Sequence, residues 1–266
     1  MAARQLGPFD PDVVAPWRLG DGRRGALLLH GFAGTPPELR RLGLHLAGRG
    51  WRCSAPALAG HASTPADLGR TRWQDWARSA AAALEDLRRD CDVVCVAGQS
   101  MGGSMALHLA AQDPSITAVA ALAAPIWLRD WRLRLLPAVH HVVRWYSPDP
   151  ADVDLHDTEA VTELWSYGRR PTSSIVELTR FIRAVRDELA TVRAPVLLLH
   201  GGRDRTVDPR NMTDIASRLV CSAAVEQQLL PRSGHAVSVD VDRETVNARV
   251  AAWFDRWAPA EEQLAG

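Results

Sequence analysis

Five residues, Gly98-Gln99-Ser100-Met101-Gly102, constrain this chain more than any others. An apolar run, Val93 to Ala97, leads into them, and a stretch of small and apolar residues, Met101 to Ala111, follows. A serine flanked by glycines at the junction of a buried strand and a helix reads as a nucleophile elbow. The turn is so tight that its neighbours must lack bulky side chains. It lifts the hydroxyl clear of the sheet and sets it at a helix N-terminus, where the dipole favours developing negative charge. Alone, the pattern also fits a glycine-rich strand-to-helix turn with no chemistry, so its surroundings decide.

On both sides of the elbow, short apolar runs alternate with helical periodicities, which predicts a mostly parallel sheet with crossover helices. Ala26 to His30, Trp51 to Ala55, Val93 to Ala97, Ile116 to Leu122, Pro195 to His200 and Val225 to Leu230 read as strands. Thr35-Pro36-Pro37-Glu38 reads as a capping box with proline at the first helical position. Thr71-Arg72-Trp73-Gln74 reads as a second box, opening a helix with Trp73, Trp76, Ala80, Leu84 and Leu87 on one face. From Trp127 to Thr191 the alternation stops. Residues 1–126 and 192–266 are therefore expected to form one core domain, with 127–191 inserted as a cap over the sheet. The cap is expected to end in a helix striped by Leu178, Phe181, Ile182, Val185 and Leu189.

The chain has 266 residues, 47% of them hydrophobic, enough for one large α/β domain with a small insertion. Its 31 basic residues, all arginine, balance 31 acidic ones, so no global field recruits nucleic acid or anionic membrane. Met1 to Pro11 lacks the apolar segment of a signal peptide, and no apolar run is long enough to span a bilayer. The four cysteines, Cys53, Cys91, Cys95 and Cys221, lack CxxC spacing. A soluble cytoplasmic protein with free thiols is the expectation.

A serine hydroxyl is a poor nucleophile at neutral pH. It needs a base within hydrogen-bond reach, and the base needs an acid to orient it. The elbow architecture sets the chain order serine, acid, histidine. The strand ending at His200 runs into Gly201-Gly202-Arg203-Asp204, and the one histidine beyond Asp204 is His235. Ser100, Asp204 and His235 would leave the same sheet edge on successive loops, where open α/β sheets bind ligands. Asp208 is the rival acid, but its place before Pro209 suits a helix N-cap. Asp240 and Asp242 follow His235 too closely, and His200 fits a core histidine at a strand end. The N–H groups of Met101 and Phe32 are the expected oxyanion donors.

The segments Leu29-His30-Gly31-Phe32-Ala33-Gly34-Thr35-Pro36, the elbow, Gly202-Arg203-Asp204-Arg205-Thr206-Val207 and Ser233-Gly234-His235 occur in the order and spacing of an α/β-hydrolase. The chain resembles that superfamily, and within it the bacterial carboxylesterases and monoacylglycerol lipases. The resemblance implies an α/β-hydrolase fold with helices on both faces of the sheet and a small cap. It implies Ser100, Asp204 and His235 as the triad, Phe32 and Met101 as oxyanion donors, and no metal or organic cofactor. One departure is Gly60-His61-Ala62, where relatives often have Gly-His-Gly. The expected substrate is a small ester with an apolar acyl chain, with Trp127, Trp131 and Trp165 of the cap as its contacts. The acidic stretch Asp149, Asp152, Asp154, His156, Asp157 fits no ordered ligand set and reads as a solvated loop. Acyl transfer to an alcohol or amine uses the same triad, and a non-catalytic ligand-binding protein is the reading from another class.

Overall fold

The computed structural model describes residues 5–6, 10–148 and 154–260. Seven strands make the central sheet: β1 (Trp17–Leu19), β2 (Arg24–Leu29), β3 (Trp51–Ala55), β4 (Val93–Gln99), β5 (Val119–Leu122), β6 (Val196–Gly201) and β7 (Val225–Leu230). Across the sheet they run β7-β6-β5-β4-β2-β3-β1, all parallel except the edge strand β1, which lies antiparallel to β3. At three residues, β1 is too short to show a period, and the sequence reading does not contain it.

Both faces of the sheet are covered at its centre, where β2, β4, β5 and β6 are buried almost throughout, while the edge strand β7 carries Glu226, Gln227 and Gln228. Leu27 and Leu29 of β2, with Val94 and Val96 of β4, join one core layer. Their neighbours Ala26, Leu28, Cys95 and Ala97 join the other. Alternate residues thus meet opposite layers, and neither face needs polar side chains. The first layer is closed by α2 (Trp73–Arg88), α3 (Met101–Gln112), α4 (Thr172–Glu188) and α5 (Arg210–Arg218). The second is closed by α1 (Arg40–Ala47) and α6 (Arg243–Trp257). Helix α3 is buried on every side from Met101 to Ala110; most of these residues are small or apolar, and its polar pair is satisfied, Ser104 by the Pro125 carbonyl and His108 by Glu188.

Neither expected capping box forms as read. Thr35 makes no cap hydrogen bond and leads a 3₁₀ turn, Pro36–Leu39, because the Glu38 carboxylate is drawn instead to the N–H of Gly31. At α2 the N-cap is Arg72, whose N–H donates to Asp75 Oδ2 at 2.7 Å. Thr71 Oγ1 accepts from Trp76 Nε1 and donates to the Leu68 carbonyl.

Residues 127–191 divide into three neighbourhoods. Around the turns Trp131–Arg134 and Leu136–Val139, Trp131, Leu135 and Val139 are exposed. Leu155, Ala160, Val161 and Leu164 pack on Ala236 and Val239, beside the expected catalytic histidine. Phe181, Val185 and Leu189 of the closing helical stretch belong to the first core layer. The acidic stretch is not the solvated loop expected of it. Asp154 is buried to 8% side-chain exposure, and Asp157 pairs with Arg243, while Asp149 and Asp152 lie outside the described residues. Among the described residues, no helix is long and apolar enough to cross a membrane.

Candidate active site

Strand β4 ends at Gln99 and α3 begins at Met101, so Ser100 alone makes the turn. Its backbone sits at φ 56°, ψ −119°, a region that costs a residue with a side chain about 1–3 kcal/mol. Flanking hydrogen bonds hold it there: Ser100 N–H donates to the Leu122 carbonyl at 2.7 Å, and Ser104 N–H to the Ser100 carbonyl at 3.1 Å. A Cβ at position 98 would collide with the Gly102 carbonyl, and one at 102 with the Leu29 carbonyl on β2. The two glycines let the strand end and the helix start press together under the serine.

The Ser100 hydroxyl lies 2.9 Å from His235 Nε2, and His235 Nδ1 lies 2.8 Å from Asp204 Oδ2. With Asp204 ionised, Nδ1 carries the ring proton and Nε2 is left to accept from the serine. Asp204 is fully enclosed. Its Oδ1 accepts the N–H groups of Thr206 (2.9 Å) and Val207 (2.7 Å), and His200 Nε2 stands 3.0 Å from its Oδ2. Burial pushes the Asp204 carboxyl up. The charge of His235, the two imidazole hydrogen bonds and the Val207 N–H outweigh burial and hold it well below the usual carboxylate range. For His235 burial pushes down, but the Asp204 charge and hydrogen bond, then the Asp154 and Glu38 charges, bring it above the ordinary imidazole value. Asp208, the rival acid, accepts from Arg210 N–H and pairs with the Arg210 guanidinium, at the start of α5.

The loop after β2 folds over the elbow. A Cβ on Gly31 would lie 3.5 Å from Ser100 Cβ, and Gly31 N–H is engaged by Glu38 Oε2 at 2.6 Å. The next N–H along the loop is that of Phe32. Met101 occupies the first helical position of α3, where an N–H has no intrahelical acceptor. Behind the loop, His30 Nε2 accepts from Leu58 N–H and its Nδ1 donates to the Gly31 carbonyl, which fixes a neutral ring. Burial takes His30 down to about 4. Burial and the neighbouring His30 take His61 down to about 3.

Three supports went unread in the sequence. Gln99, the residue before the serine, is fully buried and donates from Nε2 to the His235 carbonyl at 2.8 Å. His200, read as a core histidine, holds the acid as well. Asp240 is fully buried and accepts N–H groups from Gly234, His156, Asp157 and Val241. A spacing of four between His200 and Asp204 was the one sequence signal available.

The three cap tryptophans are not brought together. Trp127 donates from Nε1 to Asp214 on α5, with Arg210 over its ring. Trp131 is 67% exposed. Trp165 pairs with Gln5 in a two-stranded ladder, and its carbonyl accepts from Thr35 Oγ1. Tyr167 sits nearer the loop: its N–H donates to the Ala33 carbonyl, and its hydroxyl links Gly60 and Ser63. Among the described residues, no cluster of three or more histidine, cysteine or acidic side chains is arranged to hold a metal ion.

The family model described as serine aminopeptidase, S33, matches residues 22–242. A thermostable monoacylglycerol lipase of Bacillus sp. (strain H-257) is 29% identical over 91% of this chain and 95% of its own length. A carboxylesterase of Bacillus subtilis (strain 168) is 23% identical over 91% of this chain and 96% of its own. Among solved structures, one from work on the metagenome-derived lipolytic enzymes LipS and LipT superposes with a TM-score of 0.86 at 26% identity. It covers 95% of this chain and 100% of that one.

Proposed function

The chain belongs to the serine aminopeptidase S33 family and has the α/β-hydrolase fold, and from that premise we propose that it hydrolyses carboxylic esters with Ser100, His235 and Asp204 as its triad. The observation that carries the reading is the unbroken series from Ser100 Oγ to His235 Nε2 and from His235 Nδ1 to Asp204. His235 takes the serine proton as Oγ attacks the ester carbonyl. The oxygen turns anionic and is met by the N–H groups of Met101 and Phe32, each such donor being worth roughly 3–4 kcal/mol. The imidazolium then protonates the departing alcohol. Water, deprotonated by the same imidazole, releases the acid from the acyl-enzyme.

The relatives above are named for ester cleavage, which supports the ester reading over the peptidase chemistry in the family's description. A cavity of about 730 Å³, bounded in part by Val14, Ala62, Ser63, Pro65 and Tyr167, adjoins the oxyanion loop through Tyr167. Its lining mixes Val14, Ala62, Pro65 and the Tyr167 ring with Ser63, Thr64, Ser147 and Arg169; its size and apolar part suit an acyl chain, and we assign the chain there rather than to Trp127, Trp131 and Trp165. Residues 127–191 are the cap in this reading, with the last helix anchored in the core. The cytoplasmic assignment rests on four free cysteines.

The test is turnover of p-nitrophenyl esters beside the matching p-nitroanilides. Ser100→Ala is expected to lower kcat by roughly 10⁴–10⁶ at unchanged thermal stability. Near-normal ester turnover by that variant would refute the assignment.

A further inference from the structure

Asp154 reaches the site from outside the sheet. Its Oδ2 accepts three hydrogen bonds from the turn after the catalytic acid: Arg205 N–H at 2.7 Å, Thr206 N–H at 2.8 Å and Thr206 Oγ1 at 2.9 Å. Its main-chain carbonyl accepts the N–H of His235 at 3.0 Å. A Cβ on Gly234 would stand 2.7 Å from both the Asp154 carbonyl and its Oδ1. One residue therefore grips the acid loop with its side chain and the histidine loop with its backbone. The three donors call for an acceptor oxygen, which a neutral amide supplies equally well. Oδ1 is buried without a hydrogen bond, with Arg205 Nε at 3.9 Å.

We propose that Asp154 is a positioning residue for the proton relay, holding the Asp204 turn against His235 and using its charge to favour the imidazolium formed as Ser100 attacks. This rests on the assignment of Ser100 and His235 above. Around His235 stand Ser100 from the elbow, Asp204 with His200 behind it, Asp240 accepting the N–H of Gly234, and Asp154 with Arg205 Nε 3.9 Å from its Oδ1; the charge of Glu38, from the turn before α1, also acts on the ring. Asp204 acts most strongly on the imidazole. Asp154 and Glu38 add to it in the same direction.

The experiment compares wild type, Asp154→Asn and Thr206→Val in two readouts: kcat and KM for a p-nitrophenyl ester across pH, and a direct NMR titration of the His235 ring. Asp154→Asn keeps the acceptor and removes the charge. It is expected to move both the acid limb of kcat/KM and the ring titration to lower pH. Thr206→Val keeps the charge and removes one donor. It is expected to leave both midpoints in place and lower kcat by roughly tenfold at constant KM, through a looser relay. A folded Asp154→Asn with both midpoints unmoved would overturn the proposal. Should Asp154→Asn fail to fold, unchanged kcat in Thr206→Val would do so. A wild type that turns over no ester, while the ring midpoint still moves in Asp154→Asn, would sink the esterase reading and leave the coupling of Asp154 to His235 standing.

Discussion

Asp204 receives two imidazoles and two backbone N–H groups at once, and this fixes the proton balance of the site. Its carboxyl stays ionised far into acid, so it never competes with His235 for the proton. His235 must be neutral to act as a base, and its folded value lies above 6.5. The kcat/KM profile is therefore predicted to rise through a midpoint above 6.5, and a midpoint at or below that value would contradict this electrostatic account. Ala62 marks a different strain. It sits at φ 53° in the loop where glycine is the comfortable residue. Ala62→Gly is predicted to raise stability by about 0.5–1 kcal/mol in denaturant unfolding, left-handed strain outweighing the entropy of glycine. At this scale the expectation that Asp208 caps the helix did not hold: Pro209 stands at the N-cap and Asp208 accepts from Arg210 N–H one residue earlier, while Asp204 is the carboxylate that meets His235. The sequence reading misassigned Glu38 because the partner, Gly31 N–H, lies back along the chain and out of any helix.

The loop that carries His235 is an element built by its neighbours. Asp240 collects four N–H groups, from Gly234 and Val241 within the loop and from His156 and Asp157 outside it. Asp242 accepts from Ser233 Oγ, and Gln99 holds the His235 carbonyl. Asp240→Ala is predicted to cost about 3 kcal/mol or more in thermal or denaturant unfolding, since several buried donors lose their acceptor together. The same change is expected to slow serine labelling, as the ring loses its fixed position. The strands and long helices were legible because burial on two faces, or along one stripe, leaves a period in the sequence. The stretch from Asp154 to Leu164 was not, because it has no repeating element and its acidic residues look solvated until Arg243 and the Thr206 turn are seen beside them. The acyl cavity tests the reading of the cap. Ser63→Trp is predicted to lower kcat/KM for a p-nitrophenyl decanoate far more than for the butyrate. Equal loss on both would place the acyl chain elsewhere.

Across the whole molecule, the sheet order brings the β2 loop and the β4 elbow side by side, and β5 lies between the elbow strand and β6, which carries the acid. Alternation predicted a mostly parallel sheet with crossover helices, but not the order of its strands or the antiparallel edge strand β1, and the convergence of the three loops was inferred from chain order. Acid sensitivity also belongs to this scale. His30 and His61 are buried neutral at about 4 and about 3, against 6.5 unfolded. Between those values and 6.5 the unfolded chain binds more protons, so stability falls as pH falls. His235 works oppositely: its contribution is full below 6.5 and is lost as pH rises through its folded value. Asp204 contributes above 3.8 and loses that only as pH drops through its depressed value. Below 6.5 the His235 contribution is constant, so His30 and His61 set the slope, and the melting temperature is predicted to decline from pH 6.5 toward 4, less steeply in His61→Asn.

The relay itself is tested most directly by a fluorophosphonate ester and mass spectrometry of the arginine-cleaved peptides. Stoichiometric phosphonylation at Ser100 is predicted in the native chain, slowed by several orders of magnitude in His235→Asn. A folded chain that leaves Ser100 unmodified, or that reacts as fast without the imidazole, would contradict the account.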